Sequence, residues 1–152
     1  MVKPNGVKEY ILRLLERQDR SVGEIRRKAK EHDFAEDEVS EAIEYLQKIK
    51  IIDDKRYAES LTRTYLNVRM AGKRYIENKL RQHLLPAEVI KEVISNIEPE
   101  TELEQAKQAV EKWLKKNVGR SYNQDKLFRY LIGKGFDYDT IKRISTNKRD
   151  NF

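Results

Sequence analysis

Apolar residues along this chain fall into a register that returns after 51 positions. The stretch IRRKAKEHDFAEDEV (Ile25 to Val39) shares its apolar skeleton with IENKLRQHLLPAEVI (Ile76 to Ile90) and LFRYLIGKGFDYDTI (Leu127 to Ile141). Ile25, Ile76 and Leu127 align, as do Ala29, Leu80 and Leu131, then Phe34, Leu85 and Phe136, then Val39, Ile90 and Ile141. Upstream, Val7, Tyr10, Leu14 and Leu15 match Ala58, Leu61, Tyr65 and Leu66 at the same offset. Those four match Ala106, Ala109, Trp113 and Leu114 at an offset of 48. The third copy therefore carries about three extra residues near Val118-Gly119-Arg120. Identity between copies is low, so the apolar register is what defines the repeat.

Within each copy the spacing predicts three short helices. In the third, Leu103, Ala106, Val110, Trp113, Leu114 and Asn117 form one stripe at helical period. The second helix of the first copy opens on Ser21 and Glu24, and that of the third on Ser121 and Gln124, both S-x-x-E/Q capping boxes. Gly135 suits the left-handed position after a helix, and Pro86 suits the first residue of the next one. The expected fold is all-α, with repeats at residues 1–52, 53–99 and 100–152. A unit of about 50 residues buries little surface alone. Stacked repeats share their apolar faces, so an elongated, curved chain with a long concave surface is expected.

Charge adds a direction. The chain has 152 residues and a net charge of +6, but residues 1–52 are neutral, with 11 basic and 11 acidic side chains. Two windows are strongly basic: eight basic against two acidic residues from Lys55 to Arg81, and seven against one from Lys112 to Lys134. Such windows attract polyanions or acidic protein faces. With no cysteine, disulfides and thiolate metal sites are excluded, and a reducing compartment is the natural setting. No apolar run approaches the roughly 20 residues that span a bilayer, and the start MVKPNGVKEY lacks the apolar core of a signal peptide. A cytoplasmic, monomeric protein with no membrane partner is expected.

Catalytic chemistry is poorly represented. His32 and His83 lie at helix ends without a ligand-spaced partner, which points to packing or surface roles. Asp53 and Asp54 are adjacent, so on a helix they do not face each other, and a favourable place at a helix N-terminus accounts for them. Gly72-Lys73 lacks the upstream glycine of a phosphate loop. Trp113 belongs to the apolar stripe. No catalytic residue, metal or cofactor is expected, and the chain does not read as an enzyme. The candidates for binding are basic. Arg56 and Arg63 share a face, as do Lys112, Lys115 and Lys116; Arg120 follows in the inserted loop, and Lys126 and Arg129 share a face beyond it. Lys73, Arg74 and Arg81 extend the middle copy's basic surface. Arginine suits phosphate or carboxylate through its forked geometry.

The stretch IIDDKRYAESLTRTYLNVRMAGKRYIENKL resembles the RecX family of bacterial regulators of the RecA recombinase. The resemblance rests on the acid pair followed by Arg56-Tyr57-Ala58, on Arg69 to Gly72-Lys73, and on Ile76 and Leu80. RYLIGKGFDYDTI is similar to that family's repeat, and the resemblance covers residues 51–147 best. It departs where the family tends to have Lys-Gly-Ile and this chain has His83-Leu84-Leu85. A leucine in the left-handed position there costs about 1 kcal/mol.

The resemblance implies three tandem three-helix repeats. It also implies an inhibitor or modulator that lies along the RecA–single-stranded DNA filament and alters its growth, ATPase and strand exchange. RecA filaments, with single-stranded DNA as a further contact, are then the expected partners. Two other readings use the same residues: a generic nucleic-acid-binding helical protein that acts without RecA, and a helical adaptor for an acidic partner helix.

Overall fold

The computed structural model describes residues 6–119 and 123–149, the last four as helical backbone. Among them the chain forms nine helices and no strand. These are α1 Val7–Arg17, α2 Val22–Glu31, α3 Glu36–Lys48, α4 Asp54–Asn67, α5 Lys73–Gln82, α6 Ala87–Ser95, α7 Pro99–Lys116, α8 Gln124–Gly133 and α9 Tyr138–Arg149. The second helices α2, α5 and α8 each have 10 residues and begin 51 positions apart. The third helices α3, α6 and α9 begin 51 apart as well. Only the first helices lengthen, from 11 to 14 to 18 residues. The fold is an all-α array of three-helix repeats. The expected extra residues appear in the loop over 117–123, longer than its counterparts over 68–72 and 18–21.

Local chemistry sets the boundaries. Ser21 caps α2 with a complete capping box: its hydroxyl accepts from the Glu24 N–H, and the Glu24 carboxylate accepts from the Ser21 N–H at 3.1 Å. In α8 the cap is Asn123, whose side chain accepts from the Asp125 N–H at 2.9 Å. The expected box from Ser121 is thus replaced by a cap two residues later, in the place that Ser21 occupies two periods earlier, and Ser121 itself lies outside the described residues. Pro86 also falls one place from expectation. It precedes α6 as the cap residue, and its carbonyl accepts the Ile90 N–H at 3.0 Å. Lacking an N–H, proline fits that place as well as the first helical one.

The second helices end in the same turn. Asp33, Leu84 and Gly135 take positive φ of 59°, 57° and 91°. The next residue reaches back five positions each time: Phe34 N–H to Ala29 O, Leu85 N–H to Leu80 O, and Phe136 N–H to Leu131 O, at 3.2–3.3 Å. This is the hydrogen-bond pattern of a Schellman cap. Leu84 therefore adopts the conformation usually left to glycine, at the cost expected from its sequence.

The chain divides into two compact units: Met1–Glu59 with Leu80–Ile90, and Ser60–Lys79 with Lys91–Phe152. In the first, α1 packs on α2 and α3 around Ile11, Ile25, Ala29, Ile43 and Leu46, each 1% exposed or less. In the second, α7 packs on α8 and α9 around Ala106, Ala109, Val110, Leu131 and Phe136. The stripe predicted for α7 lies in this core, with Trp113 half-buried at its edge beside Tyr130.

One docking scheme serves both units. In the first, the Ser21 hydroxyl donates to the carbonyl of His83, and in the second the Gly72 N–H donates to the carbonyl of Lys134 at 2.8 Å. In each case the N-cap of one second helix meets the C-terminal turn of the next second helix. A carboxylate completes the contact. Asp54 Oδ1 accepts from the Val22 N–H at 2.9 Å, and the Glu102 carboxylate accepts from the Lys73 N–H. The adjacent pair at 53–54 thus divides its work. Asp53 caps its own helix through the Arg56 N–H at 3.0 Å, while Asp54 caps α2. Burial raises both Asp54 and Glu102 above the ordinary carboxylate range, so desolvation outweighs the backbone bond and, for Glu102, the Lys73 ammonium at 3.7 Å.

Candidate functional site

The basic candidates fall into three situations. Arg63, Arg74, Lys115, Lys126 and Arg129 are exposed, as are Arg81, Lys112 and Lys116. Arg56 is exposed but engaged: its guanidinium donates to the carbonyls of Lys50 and Ile51, both at 3.2 Å, and so closes the loop after α3. Lys73 is half-buried, with its ammonium on Glu102. These two are therefore structural cations first. Arg120 lies outside the described residues.

The histidines settle into packing. Tyr10 meets His32 edge-on at 4.8 Å between ring centroids. His83 Nδ1 lies 3.2 Å from the Tyr57 hydroxyl and 3.5 Å from Glu24 Oε2, although sequence spacing offered it no carboxylate. Glu24 arrives from 59 positions upstream, through the docking of α2 on the α5 turn. Burial, followed by the Glu24 charge, pushes the Tyr57 phenol up, so it stays protonated as a donor. Among the described residues no group of three or more His, Asp or Glu could hold a metal ion.

Cations converge at one place in the second unit. Val68, Arg69, Ala71, Tyr75, Lys112 and Lys134 line a cleft of about 370 Å³. Lys134 comes from the turn after α8 and is steered inward by that turn's docking on Gly72. Its ammonium donates to the carbonyl of Arg69 and lies 6.0 Å from the centre of the Tyr130 ring. Lys112 projects from α7, and Arg69 from the loop before α5. Burial lowers the Lys134 ammonium below its ordinary value, and the charges of Lys112, Arg69 and Lys116 lower it further. Each cation makes the next harder to hold, so the cleft favours an anion.

The cleft joins the two basic windows, since Arg69 and Tyr75 belong to one and Lys112, Lys116 and Lys134 to the other. Of the sequence candidates, Lys112 lines it, and Lys116 is near enough for its charge to act on Lys134. Arg69 and Lys134 were not among those candidates, because nothing near either residue in sequence marks it as different from other surface cations. The signal that could have found Lys134 is the period itself, which places it at the docked position held by His83.

Comparison with known proteins places this architecture. Residues 8–46 match the model described as RecX, first three-helix domain, and residues 53–94 match RecX, second three-helix domain. A relative named regulatory protein RecX, from Clostridium perfringens (strain 13 / Type A), is 32% identical over 149 residues, covering 93% of this chain and 69% of the relative. Another of the same name, from Chlorobaculum tepidum, is 27% identical over 141 residues, covering 92% and 86%. The crystal structure of RecX from Lactobacillus salivarius superposes with a TM-score of 0.84 at 29% identity, over 93% of each chain. A further structure, of regulatory protein RecX, gives 0.78 at 27% identity, over 92% of this chain and 71% of that one.

Proposed function

The chain belongs to the RecX family, and from that premise we propose that it regulates the RecA recombinase. It does so by binding along the RecA–single-stranded DNA filament and lowering filament growth, ATP hydrolysis and strand exchange. It acts by contact, without a reaction of its own. The observation that carries this reading is the match of both three-helix domains, together with regulatory proteins similar over nearly the whole chain. The basic surface is its physical counterpart. A filament of protein on single-stranded DNA presents phosphates and carboxylates, and basic side chains on more than one repeat suit a partner whose sites recur. Linked contacts raise effective concentration, so few molecules suffice.

A titration of this protein into its cognate RecA on single-stranded DNA tests the reading. ATP hydrolysis should fall at ratios well below one per RecA monomer. Inhibition only at strand-saturating amounts, or equal inhibition of an unrelated single-strand-dependent ATPase, would transfer the function to nucleic-acid binding alone.

A further inference from the structure

The two units are built alike around their docked turns and differ in charge at two matched positions. In the first, Glu24 is buried and its carboxylate lies 3.5 Å from His83. Fifty-one positions on, Tyr75 replaces Glu24 and Lys134 replaces His83. The first unit supplies its own anion to the docked position, and the second supplies an aromatic ring. The Lys134 ammonium donates to a neutral carbonyl, that of Arg69, and stands over the Tyr130 ring. Among the described residues no carboxylate lies within ion-pair distance of Arg69, Lys112, Lys116 or Lys134. Lys73, close by in sequence, has Glu102; these four have no equivalent.

We propose that this cleft binds a backbone phosphate of single-stranded nucleic acid. Three cations line this cleft and Lys116 adds its charge to theirs, more than a single carboxylate would balance, whereas a strand brings a phosphate at every nucleotide. Lysine ammonium groups act as point charges suited to phosphate oxygens. The remaining walls are Val68, Ala71 and the Tyr75 ring, apolar surface that suits the sugars and unpaired bases of a single strand. In a duplex those bases are stacked and paired inside. An acidic protein segment would use the cations but not the apolar walls.

The test uses the full chain, a fluorescent oligothymidylate and anisotropy across a salt series, with no RecA present. Failure here therefore leaves the RecA reading standing, and failure of the RecA titration leaves this site standing. Tyr75→Glu restores the internal carboxylate, and Lys112→Gln removes an exposed cation that packing does not need. Each should weaken binding by about five- to tenfold and reduce the salt slope by about 1. Lys107→Gln, on an exposed position of α7 outside the cleft lining, changes net charge as much as either and should bind as the parent does. Thermal melts identify any variant that has lost its fold, and Lys112→Gln carries the test if Tyr75→Glu does so. Parental binding by the folded cleft variants would overturn the proposal, as would an equal loss in Lys107→Gln. So would a poly-glutamate peptide that displaces the oligonucleotide at equal charge concentration, or a hairpin duplex bound as tightly with the same losses.

Discussion

The Gly72 N–H donates to the Lys134 carbonyl at 2.8 Å, and the α-carbon that carries this bond has room for nothing more. A Cβ on Gly72 would lie 2.4 Å from the carbonyl carbon and oxygen of Gly135 and from the nitrogen of Phe136. All three are backbone atoms of a capped turn and cannot swing aside. Gly72→Ala should therefore cost about 2–3 kcal/mol, as overpacking of a fixed contact does. Gly133→Ala is the matched control, because nothing lies within 4 Å of its Cβ, and it should be neutral or slightly stabilising. Urea denaturation of both variants checks the pair.

Leu84 holds φ at 57° where Gly135 holds 91°, and its side chain is 40% exposed. Little packing is lost on truncation, while a strained backbone is relieved. Leu84→Gly should raise stability by about 0.5–1 kcal/mol, visible as a rise of a few degrees in Tm. A fall in Tm would mean that the leucine contributes more by contact than its conformation costs.

Arg56 and Arg63 looked interchangeable as sequence candidates, and the structure separates them. Arg56→Ala removes two hydrogen bonds to loop carbonyls and should lower stability by about 1 kcal/mol. Arg63→Ala should leave the melting curve unchanged. Arg63 is therefore the cleaner probe of filament binding, and calorimetry of the two single variants distinguishes them before any RecA assay.

Glu102 supplies a pH dependence with a definite sign. Its carboxyl titrates above the ordinary 4.5 in the folded chain, first because it is buried and then because of Asp137. The folded state thus holds that proton more tightly than the unfolded state does. The contribution of Glu102 to stability is greatest below about 4.5 and declines as pH rises through the raised value. Glu102→Gln keeps an oxygen to accept the Lys73 N–H and removes the charge. The stability of this variant relative to the parent should grow from pH 4 to pH 7. A difference that stays flat, measured by denaturation at several pH values, would mean that the Lys73 ammonium compensates the burial fully.

Much of the architecture was legible in the chain because it is periodic and local. The 51-residue register of Ile25, Ile76 and Leu127 anticipated where the second helices lie, and Ser21 with Glu24 signalled a capping box through residues three apart. The displaced cap at Asn123 shows the limit of such signals. Ser121-x-x-Gln124 satisfies the motif, yet the helix starts in phase with its repeats. The site was less legible because its parts meet only through docking. Asp54 reads as a cap for α4 until Val22, 32 positions away, is seen to need it. Arg69 and Lys134 are ordinary cations until the α8 turn lands on Gly72.

The three turns at Asp33, Leu84 and Gly135 are closed by carbonyl and N–H groups that any non-proline residue supplies. An acid, a branched aliphatic and a glycine can stand at one place while the hydrogen bonds stay the same. The turns should accordingly behave as exchangeable cassettes. Grafting Lys134-Gly135-Phe136 over His83-Leu84-Leu85 should preserve the fold, and it would set a lysine against Glu24 in place of the histidine. Copies of such a module can differ in chemistry without differing in form, so that one turn presents a histidine to a carboxylate and its counterpart presents a lysine to a cleft.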